Sequence, residues 1–359
     1  MGDLNISLLR PLSEIHGITG RESAVADLIK WAVAEIGVPQ GNVSRDILGN
    51  VIVHLPGKGP TVAVAAHMDE IGFLVKHIDD DGFLRIAPVG GFDPKTVVAA
   101  RVVITGKDGT RYGGCIGTKP IHVMKEEDRK KPVEIEGLFV DVLGFSGVPD
   151  KGKTVKDLIS LGASVCLVQS LIQVGDVICG KCLDDRIGVY AGIELVRRLH
   201  DVELDCDLYV VFTVQEEVGV RGATVAGNRI QPDIAIAIDV TIAGMPDMKA
   251  DETPAKFGEG VAIALLDKGT VSHQGLVEFM QRIAEERGIK YQLEVATAGG
   301  TDASALQRAG EGAAAVTLSL PCRYVHSIVE TVHAGDVEAT IDLLTEFIRN
   351  VARFWESME

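Results

Sequence analysis

The stretch TVAVAAHMDE at 61–70 indicates the fold class, together with three later runs of similar composition: LYVVFTVQEE at 208–217, DIAIAID at 233–239 and AAAVTLSL at 313–320. Each run contains a short, almost continuously apolar stretch, which is the pattern of a strand covered on both faces. Segments with helical periodicity separate the runs. The sequence therefore predicts an α/β protein whose mixed sheet is sandwiched by helices.

Apolar residues three and four positions apart predict the helices of this domain. They lie at 6–15, 22–36, 184–199, 274–287 and 334–354. Two further strands are predicted at 50–55 and 291–296. The sequence PGKGP at 56–60 predicts a tight connection between the strands on either side of it.

From 72 to 166 the sequence changes to short β-like pieces separated by Gly-containing turns, one of them expected at Gly113-Gly114. Regular short strands without a long helix are typical of a small barrel or sandwich. The predicted architecture is one α/β domain formed by 1–71 and 167–359, with a β-domain of 72–166 inserted into it.

Composition excludes several classes of protein. The chain has 359 residues, of which 46% are hydrophobic and 24% charged, as in globular proteins. Its 35 basic and 51 acidic side chains give a net charge of −16, which disfavours binding to nucleic acid. No apolar run is long enough for a membrane span, and no secretory signal is apparent. With six cysteines, we therefore expect reduced thiols and a cytoplasmic protein.

Histidines and carboxylates follow the predicted strands at their carboxyl ends, where open α/β sheets bind ligands. These residues, with one at the start of the helix 184–199, are His67, Asp69, Asp184, Glu216, Glu217, Asp239 and His326. Each of them alone has a commoner explanation, as a structural hydrogen bond, a solvated turn or a helix N-terminus. Their joint occurrence at converging positions predicts a single site.

Two imidazoles with several carboxylates suit Zn²⁺, or Co²⁺ and Mn²⁺ in the same geometry. Two Asp and one Glu would balance two divalent cations and a bridging hydroxide. Asp69 stands two residues after His67 and is suited to accept the other ring N–H of that histidine. Glu216 and Glu217 leave their strand in different directions, so one can bind metal while the other acts as a general base.

Other motifs give weaker predictions. Cys179 and Cys182 form a CxxC pair, but no second pair completes a zinc ribbon, so we interpret them as thiols near the site. The absence of a GxSxG motif disfavours a serine hydrolase. Trp31 and Trp355 fall on predicted helices, so no aromatic platform supports a glycosidase.

Six blocks of the sequence resemble signature blocks of the TET and glutamyl aminopeptidases, a family of co-catalytic dimetal peptidases. The blocks are AAHMDEIGFLV (65–75), GKCLDDRIG (180–188), QEEVGVRGA (215–223), AIDVT (237–241), GGTDAS (299–304) and RYVHS (323–327). They follow one another in order over nearly the whole chain. Some proteins of this family carry the names deblocking aminopeptidase or endoglucanase.

The resemblance implies two metal ions that share one carboxylate. The first would be held by His67, Asp184 and Asp239. The second would be held by Asp184, Glu217 and His326. Asp184 would therefore bridge the two ions.

The resemblance also implies the remaining roles. Glu216 would be the general base, and Asp69 would orient His67. The inserted domain would be a PDZ-like β-barrel used for dimerisation, and dimers can build a tetrahedral dodecamer in this family. The expected partners are peptide substrates and further copies of this chain, with no nucleic acid and no membrane.

The predicted reaction is removal of N-terminal residues from short peptides, by a metal-bridging hydroxide with Glu216 as general base. Two alternatives stay open. One is a related dimetal deacylase or carboxypeptidase. The other is a non-catalytic scaffold protein that uses the β-domain.

Overall fold

The structure is a computed structural model and describes residues 4–148 and 152–358. The helices in chain order are α1 (Ile6–Glu14), α2 (Ser23–Ile36), α3 (Pro94–Val97), α4 (Glu126–Arg129), α5 (Val155–Leu158), α6 (Leu183–Leu199), α7 (Arg221–Ile230), α8 (Gln274–Arg287), α9 (Ala303–Leu306), α10 (Ala334–Arg349) and α11 (Val351–Trp355). None of these helices is long and apolar enough to cross a membrane.

The last predicted helix, 334–354, is divided into α10 and α11 at Asn350. The Asn350 side chain donates from Nδ2 to the Glu346 carbonyl at 2.8 Å. An Asn that bonds back to the backbone competes with the regular helical pattern, which explains a break that apolar periodicity does not reveal.

Strands make up the large sheet and a barrel. In chain order they are β1 (Val43–Arg45), β2 (Val51–Leu55), β3 (Thr61–His67), β4 (Gly72–Ile78), β5 (Leu84–Val89), β6 (Arg101–Thr105), β7 (Arg111–Gly117), β8 (Phe139–Val142), β9 (Ser164–Leu167), β10 (Ile172–Val174), β11 (Val177–Gly180), β12 (Asp207–Thr213), β13 (Ile234–Ile242), β14 (Val261–Leu266), β15 (Tyr291–Val295), β16 (Ala314–Arg323) and β17 (Glu330–His333).

The large sheet has the order β1-β2-β12-β3-β13-β16-β17-β11-β10, with β14 beside β16 and β15 beside β14. Its four central strands, β12, β3, β13 and β16, are parallel. The strands joined by the Pro- and Gly-rich connection are not sheet neighbours, because β12 lies between β2 and β3. A short connection in the sequence therefore did not indicate a pair of adjacent strands.

Large and small residues alternate along β3, and each kind faces a different layer of helices. Val62 and Val64 belong to the main core, to which α1, α2, α6, α8 and α10 contribute. Ala63 and Ala65 face the other side, where α7 and α9 pack. Helices therefore cover both faces of the sheet.

Six strands form a closed antiparallel barrel in the order β4-β5-β8-β7-β6-β9. The barrel has its own core, which includes Phe73, Ile104 and Val140. The mixed sheet sandwiched by helices and this separate barrel confirm the predicted fold class.

The turn predicted at Gly113-Gly114 is wrong, since both residues lie inside β7. A Cβ on Gly114 would lie 2.9 Å from the Asp141 carbonyl oxygen and 2.7 Å from the Ile104 side chain. Gly114 is therefore required by close packing within the barrel rather than by a turn.

Candidate metal centre

The parallel strands bring the predicted ligands to one edge of the sheet. His67 is the last residue of β3 and lies opposite Thr213 at the end of β12, shortly before Glu217. Asp239 lies in the neighbouring strand β13. Asp184 lies in the first turn of α6, and His326 follows the end of β16. Five positions far apart in the sequence thus meet at one place.

The first ligand group consists of His67, Asp184 and Asp239. His67 Nε2 lies 3.0 Å from Asp184 Oδ1 and 4.0 Å from Asp239 Oδ1. All three side chains are buried. One imidazole nitrogen therefore faces two carboxylates within a distance that a single cation can span.

The second ligand group consists of Asp184, Glu217 and His326. His326 Nε2 lies 3.4 Å from Asp184 Oδ2 and 3.4 Å from Glu217 Oε2. Asp184 thus directs one carboxylate oxygen to His67 and the other to His326. This is the arrangement expected of a carboxylate shared between two cations.

The electrostatics of the two groups also fit cations. Burial raises the pKa of Asp239 well above its ordinary value, and the Asp184 carboxylate acts in the same direction. Burial also raises the pKa of Glu217. Opposite effects act on His67: burial lowers its pKa, but the carboxylates of Asp184 and Asp69 raise it well above 6.5. The residues present, two imidazoles among carboxylates, are donors that suit divalent cations.

Glu216 lies beside the two groups without belonging to either. Burial raises its pKa to about 10, and nearby Asp239 and Asp302 contribute to this increase while His67 opposes it. Glu216 is thus a half-buried carboxyl beside the centre that belongs to neither ligand group, which makes it a candidate for proton exchange.

Asp69 makes more contacts than the sequence predicted. Its Oδ1 atom is 3.5 Å from His67 Nδ1, which is too long for a good hydrogen bond. Its shorter contacts hold the segment that follows β12. Oδ1 accepts a hydrogen bond from Glu216 N at 3.0 Å, and Oδ2 accepts one from Glu217 N at 3.3 Å. Thr19 Oγ1 also donates to Oδ2 at 2.7 Å. Asp69 therefore positions Glu216 and Glu217 at least as directly as it positions His67.

Glu330 is a site residue that the sequence analysis missed. Its Oε2 atom accepts from the Asp184 backbone N–H and its Oε1 atom from the His326 backbone N–H, each at 2.9 Å. One buried carboxylate thus ties together the segments that carry the two ligands. Glu330 begins the short strand β17, and nothing in its local sequence signals this contact.

Asp302 is a second residue without a predicted role, although its block GGTDAS was singled out. Its Oδ2 atom accepts from Thr213 Oγ1 at 2.5 Å, and the residue is buried. Burial raises its pKa to about 6. The side chain adds negative charge behind Glu216.

The backbone at the start of α6 departs from the predicted regular first turn. Asp184 and Asp185 have non-helical φ and ψ values, and a cis peptide joins them. The Asp185 carboxylate accepts from the His67 backbone N–H at 3.2 Å and from the Gly188 N–H at 3.0 Å. Asp185 therefore connects α6 to the end of β3, while Asp184 faces the centre.

Behind the centre lies a buried cluster of charged groups. Lys181 Nζ is 2.6 Å from Glu70 Oε2, and Arg186 lies 3.6 Å from Glu70 Oε1. The Cys182 thiol donates to Glu70 Oε2 at 2.7 Å, and burial raises its pKa well above 9.0. Cys179 and Cys182 are both free. Cys182 is thus part of the packing behind Asp184 rather than a reactive thiolate.

A cavity of about 640 Å³ opens onto the centre. Its lining includes His67, Glu216 and His326 of the centre and the segment 295–301 at the end of β15. The cavity is large enough for an amino-acid side chain and the peptide bond that follows it.

Known proteins are similar to this chain in sequence and fold. The M42 glutamyl aminopeptidase family matches residues 49–343. The lysyl aminopeptidase of Pyrococcus furiosus is 36% identical over 344 residues, which cover 94% of each chain. These matches span both ligand groups and the barrel.

Solved structures agree with these matches. An aminopeptidase from the archaeon Desulfurococcus kamchatkensis gives a TM-score of 0.90 at 37% identity, over 99% of this chain and 97% of that one. The TET1 peptidase of Pyrococcus horikoshii, which can assemble into a tetrahedron or a large octahedral shell, gives 0.85 at 32% identity, over 96% and 98%. The chain therefore belongs to the M42 family of glutamyl aminopeptidases and is a peptidase.

Proposed function

We propose that this peptidase is a dimetal aminopeptidase that removes N-terminal residues from short peptides. The position of Asp184 carries the proposal, because its two carboxylate oxygens lie against two different histidines. A carboxylate placed in this way suits two neighbouring divalent ions.

The two ligand groups assign the metals. His67, Asp184 and Asp239 would hold one ion, and Asp184, Glu217 and His326 the other. Zn²⁺ suits these donors best, with Co²⁺ and Mn²⁺ as alternatives. When bound, such ions would lower the pKa of a water molecule and polarise the scissile carbonyl.

Glu216 is the proposed general base. Positive charge in the centre favours its ionised form, in which it takes a proton from the attacking water. The same carboxyl then gives that proton to the leaving amine. Asp69 fixes the backbone of Glu216 and so holds this carboxyl at the cavity wall.

Hydrolysis of chromogenic substrates tests the proposal. Purified protein should be given Leu-, Lys- and Glu-p-nitroanilide after loading with Zn²⁺, Co²⁺ or Mn²⁺. We expect release of p-nitroaniline from at least one substrate and none from its N-acetylated form. Cleavage of acetylated substrates or of C-terminal residues would indicate a deacylase or carboxypeptidase instead. A metal-loaded protein inactive on every peptide would indicate a scaffold.

Replacing Asp69 by Asn should lower kcat/KM by about 10- to 100-fold, the usual cost of losing a carboxylate that supports metal ligands. The amide cannot accept hydrogen bonds from both Glu216 N and Glu217 N. Steady-state kinetics and elemental analysis of the metal content measure the effect. Thr19→Val is the matched control, since it removes one contact of Asp69 but keeps the carboxylate. Full activity of Asp69→Asn would refute the role assigned to Asp69.

The barrel is proposed as the dimerisation domain, with 72–166 inserted between 1–71 and 167–359. The assembly of the Pyrococcus horikoshii relative supports self-association. The barrel also exposes apolar side chains, among them Val123 and Leu143. Light scattering should return the mass of a dimer or a dodecamer of 38.2 kDa chains. The mass of a single chain would contradict this proposal.

A further inference from the structure

The cavity next to the metal centre has a second acidic region that the proposed mechanism does not use. Its wall contains four carboxyl groups beyond those of the centre, from Asp251, Glu252, Asp267 and Glu294. Among the described residues, no Lys or Arg lines this cavity. Two divalent ions would offset the carboxylates of the centre but not these four.

The sheet places Glu294 close to the centre. Thr241 follows Asp239 by two positions in β13, so both side chains point to the same face, about 7 Å apart along the strand. The Thr241 hydroxyl donates a hydrogen bond to Glu294 Oε1. The hydrogen bond to Thr241 therefore places Glu294 near Asp239, which belongs to the first ligand group.

Two carboxylate oxygens in this region lack partners. Glu294 and Asp267 are only 3% and 9% exposed, yet among the described residues Glu294 Oε2 and Asp267 Oδ2 accept no hydrogen bond of good geometry, although the Ser319 hydroxyl lies near the Glu294 carboxylate. Asp267 Oδ1 is already used, because it accepts from the N–H groups of Gly269 and Thr270. A buried acceptor without a partner destabilises the protein, and more so if it is charged. Such a cost is removed when a donor enters the cavity.

The rest of the wall suits a methylene chain. Ala264, Val295 and Ala296 line the same cavity with small apolar groups. Lys carries its ammonium group on a flexible four-carbon stem, and such stems pack along apolar surface. A side chain of this kind would place its cation near Glu294 and Asp267 while the peptide bond remains at the centre.

We propose that Glu294 and Asp267 select substrates with Lys or Arg as the N-terminal residue, an inference that rests on the proposed aminopeptidase function. A substrate beginning with Glu would bring a third carboxylate against two buried ones. Such a contact between like charges inside the cavity is unfavourable. The pocket therefore prefers basic residues and rejects acidic ones.

Kinetics with a matched pair of substrates test the proposal. Lys- and norleucine-p-nitroanilide share the four-carbon stem and differ in the ammonium group. We expect kcat/KM for Lys to exceed that for norleucine at least about tenfold, and that for Glu to be the lowest. Glu294→Gln should lower the Lys-to-norleucine ratio of kcat/KM by about 10- to 100-fold. Glu203→Gln, at an exposed position, should leave this ratio unchanged.

A binding measurement separates this proposal from the proposed function. Calorimetry of Glu216→Gln protein should show tighter binding of L-lysine than of L-norleucine, and Asp267→Asn or Glu294→Gln should abolish the difference. If the protein hydrolyses its substrates without preferring Lys, the proposed pocket is refuted and the proposed peptidase mechanism is unaffected. Preferential binding of lysine, with no hydrolysis of any substrate by the metal-loaded protein without substitutions, would support the pocket and refute the proposed function. Circular dichroism checks that each variant is folded, and the two variants serve as independent tests.

Discussion

Glu216→Gln is expected to lower kcat by about 10²- to 10⁴-fold while leaving the metal content unchanged. Glu216 belongs to neither ligand group, so an amide at this position should not disturb the ions. The amide cannot accept the proton from the attacking water, and the chemical step fails. Steady-state kinetics on the best chromogenic substrate and elemental analysis of the same preparation measure both quantities.

The adjacent residue provides a matched control for this prediction. Glu217→Gln differs by one position but removes a ligand oxygen that lies 3.4 Å from His326 Nε2. We expect Glu217→Gln to lose metal along with activity, in contrast to Glu216→Gln. An active Glu216→Gln variant would show that another group accepts the proton.

Asp184→Asn is expected to reduce the metal content from two ions per chain to fewer than one. Both carboxylate oxygens of Asp184 face a histidine, at 3.0 and 3.4 Å, and an amide nitrogen cannot replace either as a ligand. Activity should fall to background together with the metal. Elemental analysis after dialysis against Zn²⁺ measures the effect, and a thermal melt confirms that the variant is folded.

Variants of single-group ligands are the controls for Asp184. Asp239 belongs only to the first group and His326 only to the second. Asp239→Asn and His326→Ala should therefore each weaken one ion more than the other. If Asp184→Asn kept two tightly bound ions, the shared carboxylate would be refuted.

The sequence was sufficient to predict which of the candidate residues come together, because parallel strands end at the same edge of a sheet. His67 and Asp239 follow directly from this rule, since they stand on neighbouring parallel strands. His326 is less direct, since β16 extends through Pro321 to Arg323 before the chain turns to the centre. The strand-end pattern included His326 among the candidate residues, and the family resemblance predicted its place in the second ligand group.

Contacts that depend on pairing between distant segments were not predictable. Glu330 reaches Asp184 and His326 through backbone N–H groups, and only the three-dimensional arrangement reveals them. The same holds for Asp69, whose bonds to Glu216 N and Glu217 N depend on how β3 lies beside β12. Local sequence specifies neither the neighbour of a strand nor the acceptor of a loop amide.

The two acids of the proposed specificity pocket could not be predicted from the sequence either. Asp267 directly follows β14 and Glu294 lies within β15, and neither has a local signal in the sequence. Pairing of β14 with β15 sets Ala264 opposite Glu294 and so brings both acids to one cavity. Burial without a hydrogen-bond partner, visible only in the structure, indicates their role.

Anomalous diffraction from crystals grown with Zn²⁺ would show whether Asp184 is shared between two ions. We predict two peaks about 3.5–4 Å apart, one among His67, Asp184 and Asp239 and one among Asp184, Glu217 and His326. Asp184 should contact both ions through different oxygens. A single peak in the fully loaded protein, or a second ion without contact to Asp184, would contradict the account.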